Sequence, residues 1–398
     1  MIKPYGADAL RPLYVENEKE RESLIREAES LPSLLLSSAA AGNAVMLGAG
    51  YFSPLGGFMT LEEGINVAKR MARPSGLFWP VPIFNLVDAA QVTQDIREAK
   101  QIALRDPNMP GHPVIAIQNI FAIEEMMPAQ EETIVRAVFG TTDQAHPGVE
   151  AFRSAGKWVI SGRIKVLNYS YFRGDFPNTF CTAQEIRNMI SERGWKKVVA
   201  FQTRNPMHLA HEELCRLAQK AVGADGILVH MLLGKLKPGD IPADVREAAI
   251  RKMVDLYFPE NTVAITGYGF DMLYAGPREA LLHAIFRQNA GATHFIIGRD
   301  HAGVGDYYGP FDAQEIFEKT PPGTLQIEIF KGDHTVWCFK CNQVKMMRDC
   351  PHGKDDYLLL SGTKVREMLS RGEALPPEFA RPEVAEILSA YYQSIQKG

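Results

Sequence analysis

Two histidines three residues apart close the segment Gln202-Thr203-Arg204-Asn205-Pro206-Met207-His208-Leu209-Ala210-His211. Imidazoles at that spacing share one helical face and reach one place. Just ahead of them, the guanidinium of Arg204 and the amide of Gln202 are suited to gripping a tetrahedral oxyanion. The segment leaves an apolar run at 198–201 and enters a helix expected to start near Pro206 or Met207, whose free N–H groups would form an anion site. A second segment, Gly298-Arg299-Asp300-His301-Ala302-Gly303, follows the apolar run 294–297, and its glycines permit close backbone approach and positive φ. Each has a plainer explanation alone: packed histidines in the first, a surface ion pair between Arg299 and Asp300 in the second. At the ends of two strands of one parallel sheet, however, they would converge where such sheets bind ligands.

A third cluster, Cys338-x-x-Cys341 followed by Cys350-Pro351-His352, resembles a zinc knuckle. The single residue between Cys350 and His352 is tighter than usual spacings, so a structural Zn²⁺ and three reduced thiols both stand as alternatives.

The elements that must position these groups fall into three stretches. Over residues 1–168, short turn-punctuated apolar runs at 81–87, 114–123, 133–138 and 158–166 predict a β-rich, barrel-like domain, with helices at 18–30 and 61–71. Over 169–330, strands expected at 198–201, 227–231, 263–266 and 294–297 alternate with helices at 212–220, 243–257 and 278–289. Parallel strands need such crossovers, so this stretch predicts a Rossmann-like α/β domain. Residues 331–398 predict a small C-terminal α/β domain, with a strand at 357–360 and helices at 364–371 and 382–392. The fold class is therefore α/β.

Basic and acidic residues nearly balance, 43 against 47, and leave a formal charge of −4. With no basic stripe, a nucleic-acid partner is disfavoured. Residues 1–10 lack the pattern of a secretory signal, and the most apolar stretch, 34–51, is broken by Ser37, Ser38, Gly42, Asn43 and Gly48. A cytoplasmic protein without a membrane segment is the expectation.

Taken together, the two segments are similar to the paired signature of ATP sulfurylases, within the His-x-x-His nucleotidyltransferase superfamily. The resemblance extends to Phe52-Ser53-Pro54-Leu55-Gly56-Gly57-Phe58-Met59, Gly194-Trp195 and Ser361-Gly362-Thr363-Lys364-Val365-Arg366. It implies a sulfate adenylyltransferase, with ATP, sulfate, adenylylsulfate and pyrophosphate as substrates and products. Residue by residue, it implies that Gln202, Arg204 and the Ala302 backbone hold sulfate. Thr203, Asn205, His208 and His211 would face the ATP phosphates, with Gln202, Gly298, Arg299, Asp300, His301 and Gly303 around the nucleotide. Thr203, Arg204, Asn205, His208 and His211 make up the expected catalytic set. Ser361, Thr363 and Arg366 resemble a second phosphate-contacting motif, although Lys364 and Arg366 equally suit a solvated helix face.

Sulfate is a dianion at neutral pH and needs no general base, so the obstacle is charge repulsion at the α-phosphorus. Arg204, Arg299, the histidines, a helix N-terminus and Mg²⁺ carried with ATP would answer it. Whether His208 and His211 act as cations or neutral donors is open at this point. Rival expectations are an adenylyltransferase for a phosphate ester or carboxylate, and an RNA-binding protein. No Gly-x4-Gly-Lys-Ser/Thr loop is present, so a fused adenylylsulfate kinase is not expected. A homo-oligomer, commonly a homodimer, is expected, and the physiological direction is open.

Overall fold

The computed structural model describes residues 1–236 and 240–396. Near-continuous apolar runs form a five-stranded, wholly parallel sheet. In order across the sheet its strands are Val263–Tyr268, Gly226–Leu232, Val198–Thr203, His294–Ile297 and Glu328–Lys331. Helices Leu209–Val222, Ala243–Tyr257 and Pro277–Asn289 provide crossovers. The first strand, Val198–Thr203, is central. The chain winds outward from it on one side, then returns to place His294–Ile297 on the other. This reversal is a topological switch point, and it leaves a crevice between the carboxyl ends of those two strands.

The first 168 residues form a curled sheet of seven strands. Its axis is Trp158–Val166, which pairs antiparallel with Val114–Asn119, Gly57–Phe58, Leu86–Val87 and Ala122–Glu125. Of the run expected at 81–87, only the end is strand. The run at 133–138 is not strand but lies within the helix Pro128–Phe139. Its buried Ile134, Val135, Val138 and Phe139 recur at helical spacing, Pro128 begins the helix, and left-handed Gly140 ends it. The broken apolar stretch near residue 40 becomes the buried helix Ser38–Gly48, capped by Ser37.

The helix Pro277–Asn289 is buried from Glu279 onward and joins the two halves. Asn289 donates to the Tyr51 carbonyl at 2.7 Å and accepts from Tyr5 N at 2.8 Å. One continuous apolar cluster runs through both halves. Beyond the parallel sheet, Gln343–Met346, Thr335–Cys338 and Tyr357–Leu358 make a small antiparallel sheet. The helices Gly362–Ser370 and Pro382–Gln396 follow, and Tyr257 Oη donates to Glu383 Oε2 at 2.6 Å to tie the last helix to Ala243–Tyr257. Among the described residues, no helix is long and apolar enough to cross a membrane.

Candidate active site

The crevice holds a cavity of about 260 Å³ whose wall includes Gln202, Thr203, Arg204, Asn205, His208 and His211 on one side and Gly298, Arg299, Asp300, His301 and Ala302 on the other. The two segments therefore converge as their strand ends require. Gly303 lies just outside this wall, in an adjoining cavity of about 270 Å³ that shares Arg204, Asp300 and His301.

The first segment folds as a turn: Thr203 Oγ1 donates to Asn205 O at 2.7 Å and accepts from Asn205 N at 3.1 Å. An extended His208 then caps a helix that begins at Leu209, two or three residues later than expected. His208 N donates to His211 Nδ1 at 3.3 Å, the two rings lie 4.0 Å apart, and Phe379 stacks on His208 at 4.6 Å. Burial holds the His208 imidazole well below its ordinary range, with His211 and His334 adding to the shift. Burial likewise pulls His211 down to about 4, with His334 adding to it. Both are thus neutral hydrogen-bonding groups at pH 7. Arg204 donates through Nη2 to Gly303 O at 3.1 Å, and its guanidinium lies 4.9 Å from the Tyr274 ring centre.

Three polar side-chain atoms here are fully buried, Gln202 Nε2, Arg204 Nη1 and His208 Nδ1, and the Gln202 side chain meets that of Tyr268.

In the second segment the left-handed conformation falls not on the glycines but on Asp300 and Ala302, at φ 56° and 55°. Backbone bonds hold them there: Asp300 N to Pro310 O at 2.9 Å, Gly303 N to Asp300 O at 3.1 Å, and Gly276 N to Ala302 O at 3.0 Å. Such strain, about 1 kcal/mol or more per residue, persists where surrounding structure dictates it, and often at functional sites. The anticipated Arg299–Asp300 ion pair forms at 3.1 Å, on the rim of the cavity.

Asp333, His334 and Thr335 complete the wall and were not anticipated. They follow the edge strand Glu328–Lys331, and the available signal was only the polar Gly332-Asp333-His334 run itself. Ser361 does not belong to this wall. It caps the helix Gly362–Ser370 by accepting from Lys364 N at 3.1 Å. Arg366 lies on the same helix and is likewise not part of the wall. The side chain of Thr363 lies outside the described residues.

Cys338, Cys341, Cys350 and His352 come together, each offering a ligand atom within 4.8 Å of the others. Cys341 Sγ lies 3.8 Å from Cys350 Sγ, and His352 Nδ1 lies 3.4, 3.2 and 3.7 Å from the three sulfurs in chain order. A tetrahedral zinc with sulfur at about 2.3 Å and nitrogen at about 2.0 Å requires edges of roughly 3.5–3.8 Å, so the donor set fits the ion. The tight Cys350-x-His352 spacing is accommodated because the Tyr357 hydroxyl donates to the His352 carbonyl and steadies that turn.

A wholly parallel sheet with a polar cavity at its switch point defines an α/β protein of the kind that holds ligands beyond its strand ends. Residues 177–391 match the ATP-sulfurylase family, and residues 2–169 match the PUA-like domain. The chain is 63% identical over 400 residues to the sulfate adenylyltransferase of Alcanivorax borkumensis, covering 100% of this chain and 99% of that one. It is 62% identical to that of Allochromatium vinosum, covering 99% of each, and 46% identical to that of Thiobacillus denitrificans, covering 99% and 95%. The chain belongs to the ATP-sulfurylase family. A solved structure described as a hexameric APS kinase from Thiobacillus denitrificans shares the fold, with a TM-score of 0.74 and 23% identity over 98% of this chain and 68% of that one.

Proposed function

We propose that the cavity performs the sulfate adenylyltransferase reaction, ATP and sulfate to adenylylsulfate and pyrophosphate, or the reverse. A sulfate oxygen bonds to the α-phosphorus while the bond to the departing pyrophosphate breaks in line. The observation that carries this reading is the convergence of Gln202, Thr203, Arg204, Asn205 and His208 with Gly298, Arg299, Asp300, His301 and Ala302 on one small cavity. In this proposal Gln202, Arg204 and the Ala302 N–H hold sulfate. Thr203, Asn205, His208 and His211 meet the phosphates. Gln202, Gly298, Arg299, Asp300, His301 and Gly303 shape the nucleotide seat.

No proton need leave sulfate, so the chain's contribution is orientation and charge. Arg204, Arg299 and the N-terminus of the helix Leu209–Val222 oppose the repulsion between dianion and nucleotide. The neutral histidines contribute as hydrogen-bonding groups. Mg²⁺ bound with ATP would neutralise phosphate charge. Asp300 is paired with Arg299, and Asp333 accepts from the backbone of His334 and Arg348, which favours an ion carried on the nucleotide's own phosphates.

Zinc at Cys338, Cys341, Cys350 and His352 would staple the small sheet beside the cavity. The same proposal divides the chain at 168/169 and 330/331, although the edge strand Glu328–Lys331 straddles the second boundary. It places the protein in the cytoplasm, where thiolate ligands stay reduced, as a homo-oligomer and in the first instance a homodimer. The test is exchange of labelled pyrophosphate into ATP with and without sulfate. Exchange that depends on sulfate supports the reading, and exchange indifferent to it refutes it.

A further inference from the structure

Arg204 does not hold its own position. Its Nη2 is tied to the carbonyl of Gly303, and the face of its guanidinium rests against the Tyr274 ring, 4.9 Å from the ring centre. Tyr274 itself adopts a left-handed conformation, φ 59°, which is unfavourable for a bulky aromatic residue. Something must impose it.

That something is a carboxylate. Glu279 is fully buried in the helix Pro277–Asn289, and its two oxygens accept from the amides on either side of Tyr274: Leu273 N to Oε1 and Ala275 N to Oε2, both at 3.1 Å. On the other side of Tyr274, its carbonyl lies 3.0 Å from the Tyr308 hydroxyl, which shares its one proton between that oxygen and the Phe139 carbonyl at 2.9 Å. His146 takes the amides of Gly148 and Val149 on Nδ1, so its Nε2 carries the proton and donates to that hydroxyl at 3.1 Å. Gly276, with φ +49°, packs so close to the Tyr308 ring that a Cβ there would meet it at 2.8 Å. Glu279 also reaches the second cavity loop: His283 Nε2 lies 3.4 Å from Oε1, and His283 Nδ1 lies 3.1 Å from His301 Nε2.

We propose that Glu279 and Tyr274 are positioning residues for Arg204. The carboxylate clamps the 273–275 backbone, the clamp presents the Tyr274 ring, and the ring orients the guanidinium toward sulfate. This rests on the adenylyltransferase reading and names a determinant of its sulfate site. A fully buried carboxylate is costly unless its hydrogen bonds compensate. Burial pushes this one up to about 7, and the amides of Leu273 and Ala275, the charge of Arg204 and the Tyr274 backbone pull against that. Its hydrogen bonds go to the backbone on either side of Tyr274, and its other neighbour, His283, leads to His301 in the cavity wall.

Glutamine at 279 keeps the shape but turns an N–H₂ toward one of two amides that both donate, so one side of the clamp opens. For Glu279→Gln the expected result is a rise of tenfold or more in KM for sulfate, with KM for ATP within threefold of the parent. Tyr274→Leu, which keeps the clamp and removes the aromatic face, should raise KM for sulfate about fivefold, and Tyr274→Phe should restore it. If Glu279→Gln fails to fold, the Leu and Phe pair at 274 decides. Parallel rises in both KM values, or equal behaviour of Leu and Phe at 274, would overturn the proposal. An unsubstituted enzyme whose exchange ignores sulfate would instead overturn the reading beneath it.

Discussion

Replacing Arg204 by alanine removes a guanidinium whose nitrogens do different work. Nη2 bonds Gly303 O at 3.1 Å and helps fix the second loop, whereas Nη1 is buried with no partner. Loss of the first is a neutral-acceptor hydrogen bond and should change stability by about 1 kcal/mol. Relief of the second offsets part of that. The larger effect falls on the transition state, where a preorganised donor of this kind supplies about 3 kcal/mol, or roughly 150-fold in rate. Arg204→Lys keeps a charge but cannot hold Gly303 O and face sulfate with one rigid fork, so it should recover only about tenfold of the loss. The assay is sulfate-dependent pyrophosphate–ATP exchange at saturating ATP, beside a thermal melt to show that each variant is folded. An alanine variant that is folded and within fivefold of the parent would refute the assigned role.

Acid should destabilise the protein below about pH 6.5. Burial holds His230 and His283 well below the ordinary imidazole range and His211 at about 4, so the unfolded chain binds protons that the native state refuses. Stability is then lost as pH falls, by about 1.4 kcal/mol per unit for each such group, and Glu279, raised to about 7, opposes this through one proton only. Melting temperatures at pH 7.5 and 5.5 check it, and a higher value at 5.5 would contradict it. Chelation, or Cys341→Ser, should release one zinc per chain and speed proteolysis within 339–354, because so small a sheet is marginal unaided. Arg381→Ala should cost about 2 kcal/mol in denaturant unfolding: Arg381 meets both oxygens of Glu212 at 3.0 and 2.9 Å, that side chain is 2% exposed, and Arg216 remains as a partial partner.

Much of the catalytic sheet is legible because its strands are buried on both faces and its helices are long. The helix Ala243–Tyr257 and the strand His294–Ile297 fall on the expected bounds. The two motif segments are legible as well, since each joins unusual residue types to a strand end. Residues 133–138 mislead because a short apolar run fits either period until its Pro128 start and Gly140 stop are weighed. The edge strand Glu328–Lys331 is half-exposed and carries no continuous apolar signal, which hides the wall of Asp333, His334 and Thr335 behind it. Tyr274 and Glu279 leave no local mark at all. A glutamate near a helix start looks like a solvated first turn, and only tertiary packing turns it inward.

The central claim is that one cavity, with Arg204 and Arg299 in its wall, brings a small tetrahedral dianion to the α-phosphorus of ATP. Its most direct test is pyrophosphate release from ATP by the purified protein with sulfate, with molybdate, and with neither. Release that is slight alone and strongly stimulated by either oxyanion is the predicted result. Release indifferent to both, or stimulated equally by a simple carboxylate, would contradict the account.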